Sequence, residues 1–176
     1  MSCDRFQEDF FSRDVLEVIP ELLGKSLVRK FEDGTIHKYL ITEIEAYRGE
    51  EDLACHASKG RTKRTEIMYH DGGHLYVYLI YGMYWMLNIV TGEKNNPQAI
   101  LIRGIEGFNG PGKLTKHLKI DKSFNGENLV TSERIWIESN TEKLNVGFKT
   151  YPRVGIDYAG EIWKNKPWRF ILSDIS

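Results

Sequence analysis

Cysteine is nearly missing from this chain. Cys3 and Cys55 are the only two thiols, too few for a disulfide framework, so the sequence predicts a reduced compartment. A signal-peptide core is missing as well, because the first residues, MSCDRFQEDFF, are polar and acidic. Together these predict a cytoplasmic protein, nucleoid-associated in a bacterium and not secreted. No stretch is long and apolar enough to be read as a membrane span, since the longest nearly apolar run, Leu75 to Val90, is short and broken by Tyr and Gly. Charge of one sign is lacking too: the formal net charge is −1, which counts against a simple nucleic-acid binder. Repeats, low-complexity tracts and linkers are absent, so one domain over residues 1–176 is expected.

What the chain does have is tyrosine. Nine of its 176 residues are Tyr. Tyrosine combines an apolar face with a polar tip, which suits a surface that is alternately wet and covered. Charge is also unevenly spread: Lys59, Arg61, Lys63 and Arg64 lie close together, with only Glu66 near. Such a stripe is either a solvated loop or a phosphate contact.

The local patterns are mixed α and β. Val15, Leu16, Ile19, Leu22 and Leu23 recur at helical spacing after Ser12, a potential cap, and Gly24 is a stop. Pro20 falls inside that span and is expected to break or kink it. Leu27–Phe31 and Tyr39–Tyr47 read as strands joined through the turn signal Asp33-Gly34. Alternation places Glu43, Glu45 and Tyr47 on one face of the second strand, facing either solvent or a pocket. Residues 74–90 read as a hairpin: Tyr76 and Tyr78 share a strand face, and Tyr81-Gly82 sits at the tip. A large aromatic at such a tip is either packed in a sheet or free to push between bases. Gln98–Ile105 reads as a buried strand, and Arg103 within it requires a carboxylate. A short helix is expected from Gly110 to near Ile120, and a turn at Asn125-Gly126. Beyond these come a strand and an irregular connection over Ile135–Phe148, and short strand-like pieces at Pro152–Ile156 and Pro167–Leu172.

Several chemistries fail on spacing. There is no Gly-x-Ser-x-Gly elbow and no cysteine-protease signature. His70 and His74 have the spacing of a metal pair but lack the accompanying glutamate or cysteines, so no metal is expected. Gly107 to Lys113 nearly matches a nucleotide phosphate loop, but Leu114 stands where Ser or Thr would hold magnesium.

The motifs Ile44-Glu45-Ala46-Tyr47-Arg48-Gly49, Cys55-His56-Ala57, Gly60-Arg61-Thr62, Gly73-His74-Leu75-Tyr76-Val77-Tyr78, Tyr81-Gly82-Met83 and Leu87-Asn88 follow one another in order. So do Leu101-Ile102-Arg103, Gly110–Leu114, Pro152–Ile156 and Pro167–Phe170. In this order and spacing the chain resembles the alkyladenine (3-methyladenine) DNA glycosylase family, almost end to end. The resemblance implies an α+β fold: a single mixed domain with a curved antiparallel sheet, surrounding helices and a protruding β-hairpin. It implies a monomeric, monofunctional enzyme of base excision repair, without metal or other cofactor. Its substrate would be double-stranded DNA carrying 3-methyladenine, 7-methylguanine or hypoxanthine.

Residue by residue, Glu45 matches the general base that activates water, and Arg103 matches its partner, expected to keep Glu45 ionised. Tyr47 and Tyr78 match the aromatic walls around a flipped base, and His56 matches a pocket residue. Asn88 matches the floor residue that resists the amino group of guanine. Tyr81 matches the side chain that enters the duplex, with Met83 beside it. Arg61, Lys63, Arg64 and Lys113 are candidate backbone contacts. The chain departs from the family pattern at Lys63 and Thr65, where Pro and Asn are common, and at Tyr69-His70-Asp71, which replaces a proline-bearing turn. A non-catalytic damage binder on the same scaffold is the alternative. It needs neither Glu45 nor Arg103, and both are present.

Overall fold

The structure is a computed structural model that describes residues 4–140 and 146–175; Cys3 lies outside them. The fold is α+β. In order, its elements are α1 (Glu8–Phe11), α2 (Val15–Leu22), β1 (Ser26–Lys30), β2 (Ile36–Arg48), β3 (Leu75–Ile80), β4 (Tyr84–Thr91) and β5 (Gln98–Ile105). Then follow β6 (Phe108–Asn109), α3 (Pro111–His117), β7 (Ile135–Glu138), β8 (Val146–Tyr151), α4 (Gly160–Lys164) and β9 (Arg169–Ile175). Among the described residues, four short 3-10 turns fill the connections.

Every strand pairing is antiparallel, and the main path runs β3-β4-β5-β2-β1-β7. The thirteen-residue β2 organises the sheet. Its first half pairs with β1, while its second half has β5 on one side and β9 on the other. A register shift on either side of Glu43 lets the strand bend between these roles.

Alternation gives the sheet two different faces. Ile44, Ala46, Leu87, Ile89, Ile100 and Ile102 point to one side and are fully buried against Val15, Val18, Ile19 and Leu22 of α2. Tyr47, Tyr76, Val90 and Ala99 belong to a separate cluster on the other side. The helix-backed face is the main core. The second face carries the aromatic pocket described below.

Several local expectations need correction. Ser12 does not cap α2: its hydroxyl donates to the Glu8 carbonyl and closes α1, an element without a clear periodic signal. Asp14 is the cap, accepting from the Leu16 amide at 3.0 Å. Pro20 does not break the helix, which continues to Leu22. Burial of Val15, Val18, Ile19 and Leu22, about 1.5–3 kcal/mol each, outweighs the single backbone bond that proline cannot donate. Pro152–Ile156 is a loop rather than a strand, because Gly155 takes φ 73° and turns the chain after β8. The connection expected within Ile135–Phe148 falls in part on residues 141–145, outside the described residues.

The hairpin of β3 and β4 pairs Ile80 with Tyr84 and leaves Tyr81-Gly82-Met83 as its tip. Tyr81 is 87% exposed and Met83 64%. Tyr81 also holds φ 51°, a left-handed conformation that a residue with a Cβ adopts at a cost of about 1–2 kcal/mol. Its ring therefore contributes little packing to the fold. Replacing Tyr81 by Gly is expected to change stability by less than about 1 kcal/mol, since relief of strain offsets the greater freedom of the unfolded chain. Urea unfolding checks this; a larger loss would mean that the ring packs after all.

Candidate active site

Strand register assembles the site. Glu45 pairs with Leu101, Leu101 with Asn88, and Asn88 with Tyr76, so one row crosses β2, β5, β4 and β3. The neighbouring row runs from Tyr47 through Ala99 to Val90. Directly paired residues point to the same side of an antiparallel sheet. Positions distant in sequence thus meet above the non-core face.

Glu45 is fully buried. Its Oε1 lies 3.2 Å from Nη1 of Arg103 and accepts the Tyr47 hydroxyl at 3.4 Å; its Oε2 accepts the Val154 backbone N–H at 2.7 Å. Arg103 turns its Nε to Glu43, at 3.3 Å, and Arg169 reaches the same Glu43 oxygen at 3.2 Å. The carboxylate expected for Arg103 is therefore two carboxylates. Arg103 acts on Glu45 in the expected direction, favouring its ionised form, but burial outweighs it. Burial pushes its carboxyl above the ordinary 4.5, and Arg103, the Val154 amide and Arg153 only partly oppose it. Desolvation wins over ion pairing here.

Beside Glu45 lies a cavity of about 50 Å³, open at its mouth. Tyr47, His56, Tyr76, Tyr78, Asn88, Ala99 and Tyr158 are among the residues that line it. Glu45 does not line the cavity but is reached through the Tyr47 hydroxyl. His56 Nδ1 is 2.8 Å from the Tyr76 hydroxyl, and its ring lies 4.6 Å from that of Tyr78. Burial, reinforced by the charge of Arg64, lowers the His56 pKa to about 4, so the imidazole is neutral at pH 7. Burial raises the phenols of Tyr47 and Tyr78, which stay protonated. It also pushes the Cys55 thiol up to about 12, far from a reactive thiolate. Asn88 is buried, and its amide nitrogen donates to the Tyr76 carbonyl at 3.1 Å.

A buried ion pair holds the pocket to the Val154 loop. Arg153 makes a two-pronged contact with Asp52 at 2.6 and 2.9 Å, and both side chains are fully buried. Arg153 also donates to the Ala46 carbonyl at 2.9 Å and lies over the Tyr47 ring, 4.9 Å from its centroid. Asp52 accepts the amides of Arg48 and Ala54. Asp52, Arg153, Val154, Arg169 and Tyr158 were not among the site residues expected from sequence, and Glu43 was expected only on the same strand face as Glu45. Tyr158 stands at the cavity mouth, 70% exposed, with its hydroxyl donating to the Ala54 carbonyl at 3.2 Å.

The basic candidates separate. Arg61 is paired with Glu66 at 2.6 Å, and Lys63 is exposed. Arg64 lies over the Tyr78 ring at 5.3 Å. Lys113 is exposed on α3, whose Gly112 packs against Tyr84 of the hairpin. Leu114 is fully buried. Tyr81 and Met83 stand apart from the cavity, on the hairpin tip. Among the described residues, no group of three or more His, Cys, Asp or Glu is placed to hold a metal, and no helix is long and apolar enough to cross a membrane.

Replacing Asp52 by Asn is expected to destabilise the protein by about 3–5 kcal/mol, because it leaves the Arg153 charge buried and unpaired. Urea unfolding measures this directly. A loss below about 1 kcal/mol would mean that the carbonyls of Ala46 and Trp163 satisfy Arg153 without the carboxylate.

The family model described as Methylpurine-DNA glycosylase (MPG) matches residues 9–109 and 106–176. A protein of Desulfitobacterium hafniense named "Putative 3-methyladenine DNA glycosylase" is 42% identical, covering 97% of this chain and 96% of its own length. Proteins with the same name from Borreliella burgdorferi and Legionella pneumophila are 43% and 42% identical, each covering 94% of this chain. At this identity and coverage, and with the family model matching nearly throughout, the chain belongs to the methylpurine-DNA glycosylase family.

Proposed function

We propose that this protein is a monofunctional DNA glycosylase that flips alkylated purines out of duplex DNA and hydrolyses their N-glycosidic bond. The observation that carries this reading is the buried Glu45–Arg103 pair set against a pocket walled by Tyr47, Tyr76 and Tyr78. The family membership and the names of the relatives support the same substrate class.

In this reading the damaged base leaves the stack and enters between Tyr47 and Tyr78. A purine alkylated at N3 or N7 is cationic, and aromatic faces attract positive charge. Tyr81, already strained and exposed, fills the gap in the duplex, with Met83 beside it. Lys63, Lys113 and the Arg61 region meet the phosphates. Asn88, its amide held by the Tyr76 carbonyl, obstructs the amino group of guanine.

The chemistry follows from Glu45. A water held by Glu45 and Arg103 attacks C1′ of the sugar. Its oxygen bonds to C1′ while the bond from C1′ to the purine nitrogen breaks, and that electron pair departs with the base. The water's proton passes to Glu45. Before transfer, the Glu45 carboxylate also stabilises the positive charge that develops on the sugar. A cationic purine leaves neutral. Hypoxanthine, neutral in DNA, leaves with the bonding pair as an anion and takes its proton from solvent water.

Metal-free incubation with methylated duplex DNA, followed by analysis of free bases, tests the reading. Release of 3-methyladenine or 7-methylguanine is expected. Glu45→Gln is expected to slow release at least about a hundredfold while keeping affinity for the damaged duplex. Binding without release by the wild-type protein would favour the damage binder instead. Release by the variant at the wild-type rate would remove Glu45 as the base.

The pH dependence is a second test. Only ionised Glu45 can accept a proton, and burial raises its pKa, so excision is expected to fall on the acid side at a pH above 4.5. Arg103→Gln removes the strongest opposing charge, so that limb is expected to move to still higher pH in single-turnover rates. A limb that stays in place or moves down would overturn the assignment of Arg103 as the charge that holds Glu45 ionised.

A further inference from the structure

Arg64 reads in the sequence as one member of a basic stripe, but its surroundings differ from those of its neighbours. Arg61 is neutralised by Glu66 and also donates to Asn95. Arg64 has no carboxylate within salt-bridge distance among the described residues. Its guanidinium instead lies over the ring of Tyr78, 5.3 Å from the centroid. It does not line the base pocket, although Tyr78 does. It lines a second cavity that shares Cys55, His56 and Tyr158 with the first. Arg64 is thus an exposed cation at the rim shared by the two cavities, against Tyr78 and close to Tyr76, with no carboxylate partner among the described residues.

The opposite wall is built differently. Tyr47 also carries a guanidinium, that of Arg153, at 4.9 Å. There the charge is cancelled by Asp52 at 2.6 Å. Both aromatic walls are thus backed by arginine, but only the Tyr78 wall is backed by net positive charge. A cation already engaging a ring weakens that ring's attraction for a second cation, and its own field opposes positive charge within a Debye length.

We propose that Arg64 is a specificity-determining residue that sets the balance between cationic and neutral purines by placing positive charge with no carboxylate partner against the Tyr78 ring. The inference rests on the glycosylase reading of the pocket. With Arg64 present, a cationic purine gains less from the Tyr78 face than from an unbacked tyrosine, and a neutral purine loses nothing by comparison. The charge of Arg64 also reaches the pocket interior: it lowers the pKa of His56 and opposes the rise at Tyr76 and Tyr78. These effects have the sign expected of a cation close to all three groups.

The test compares wild type, Arg64→Gln and Arg64→Lys on duplexes carrying 7-methylguanine, which is cationic, or hypoxanthine, which is neutral. Rates are measured in single turnover with saturating enzyme at about pH 6, where 7-methylguanine keeps its N1 proton and is a cation, so that duplex affinity drops out. Arg64→Gln is expected to raise the ratio of 7-methylguanine to hypoxanthine excision by about three- to fivefold. Arg64→Lys, which keeps the charge, is expected to stay nearer the wild-type ratio. Affinity for undamaged duplex is measured in parallel as a function of salt. An unchanged ratio, with the salt slope falling by about one, would make Arg64 a phosphate contact and overturn the proposal. A ratio that shifts the other way, or shifts equally in Arg64→Lys, would overturn it as well. Wild-type protein that releases neither base would instead overturn the glycosylase reading beneath it.

Discussion

A carboxylate at residue 45 that is fully removed from water is the constraint from which the site is built. An isolated buried charge costs several kcal/mol. Here Arg103, the Val154 amide and the Tyr47 hydroxyl surround it. None of these partners is near it in sequence except Tyr47. Arg103 arrives because β5 pairs with β2. The Val154 amide arrives because the chain returns along β8, turns at Gly155 and comes back on β9, which pairs with Glu43–Glu45 itself. Arg153 then fixes that loop by reaching past it to Asp52. The C-terminal strands are thus required by the charge balance of one side chain on β2, as well as by packing.

That balance is deliberately incomplete in its effect. If Arg103 and the amide fully compensated for burial, the Glu45 carboxyl would sit at or below its ordinary range and accept a proton poorly. Because burial still dominates, its proton affinity is raised, which suits the proposed role of taking a proton from water. Sharing Arg103 with Glu43 has the same consequence, since part of the guanidinium charge is spent on a second carboxylate. Arg169 reaches the same Glu43 oxygen at 3.2 Å. The network reads as a device that keeps Glu45 both buried and basic.

Much of this was legible in sequence, for identifiable reasons. Period-two alternation put Glu43, Glu45 and Tyr47 on one face, and the structure brings the three together around Arg103 and the Glu45 carboxylate. Arg103 announced its need for a carboxylate by standing in an apolar strand. The hairpin tip followed from Tyr81-Gly82 between two apolar runs. What escaped was non-local or carried by the backbone. Asp52 and Arg153 lie 101 positions apart, and neither interrupts an apolar pattern. The Val154 contribution is a main-chain N–H, which no side-chain pattern reveals. Pro20 and Ser12 misled because local propensity was overridden, in one case by burial of the α2 face and in the other by a better-placed carboxylate at Asp14.

The sheet explains how a site this polar coexists with a stable core. Every strand that contributes to the pocket also contributes its alternate residues to the helix-backed face, where Ile44, Leu87, Ile100 and Ile102 are fully buried. Backbone positions on the pocket face are therefore fixed by burial on the opposite face, and the polar groups need not hold themselves in place. This frees the pocket residues to satisfy chemical demands. Ala99 can be small and leave space, His56 can remain neutral, and Asn88 can point its amide nitrogen at the Tyr76 carbonyl. The hairpin shows the same division at its limit. Leu75 and Leu87 are fully buried at its base, so the tip can carry an exposed tyrosine in a strained conformation that packing alone would not retain.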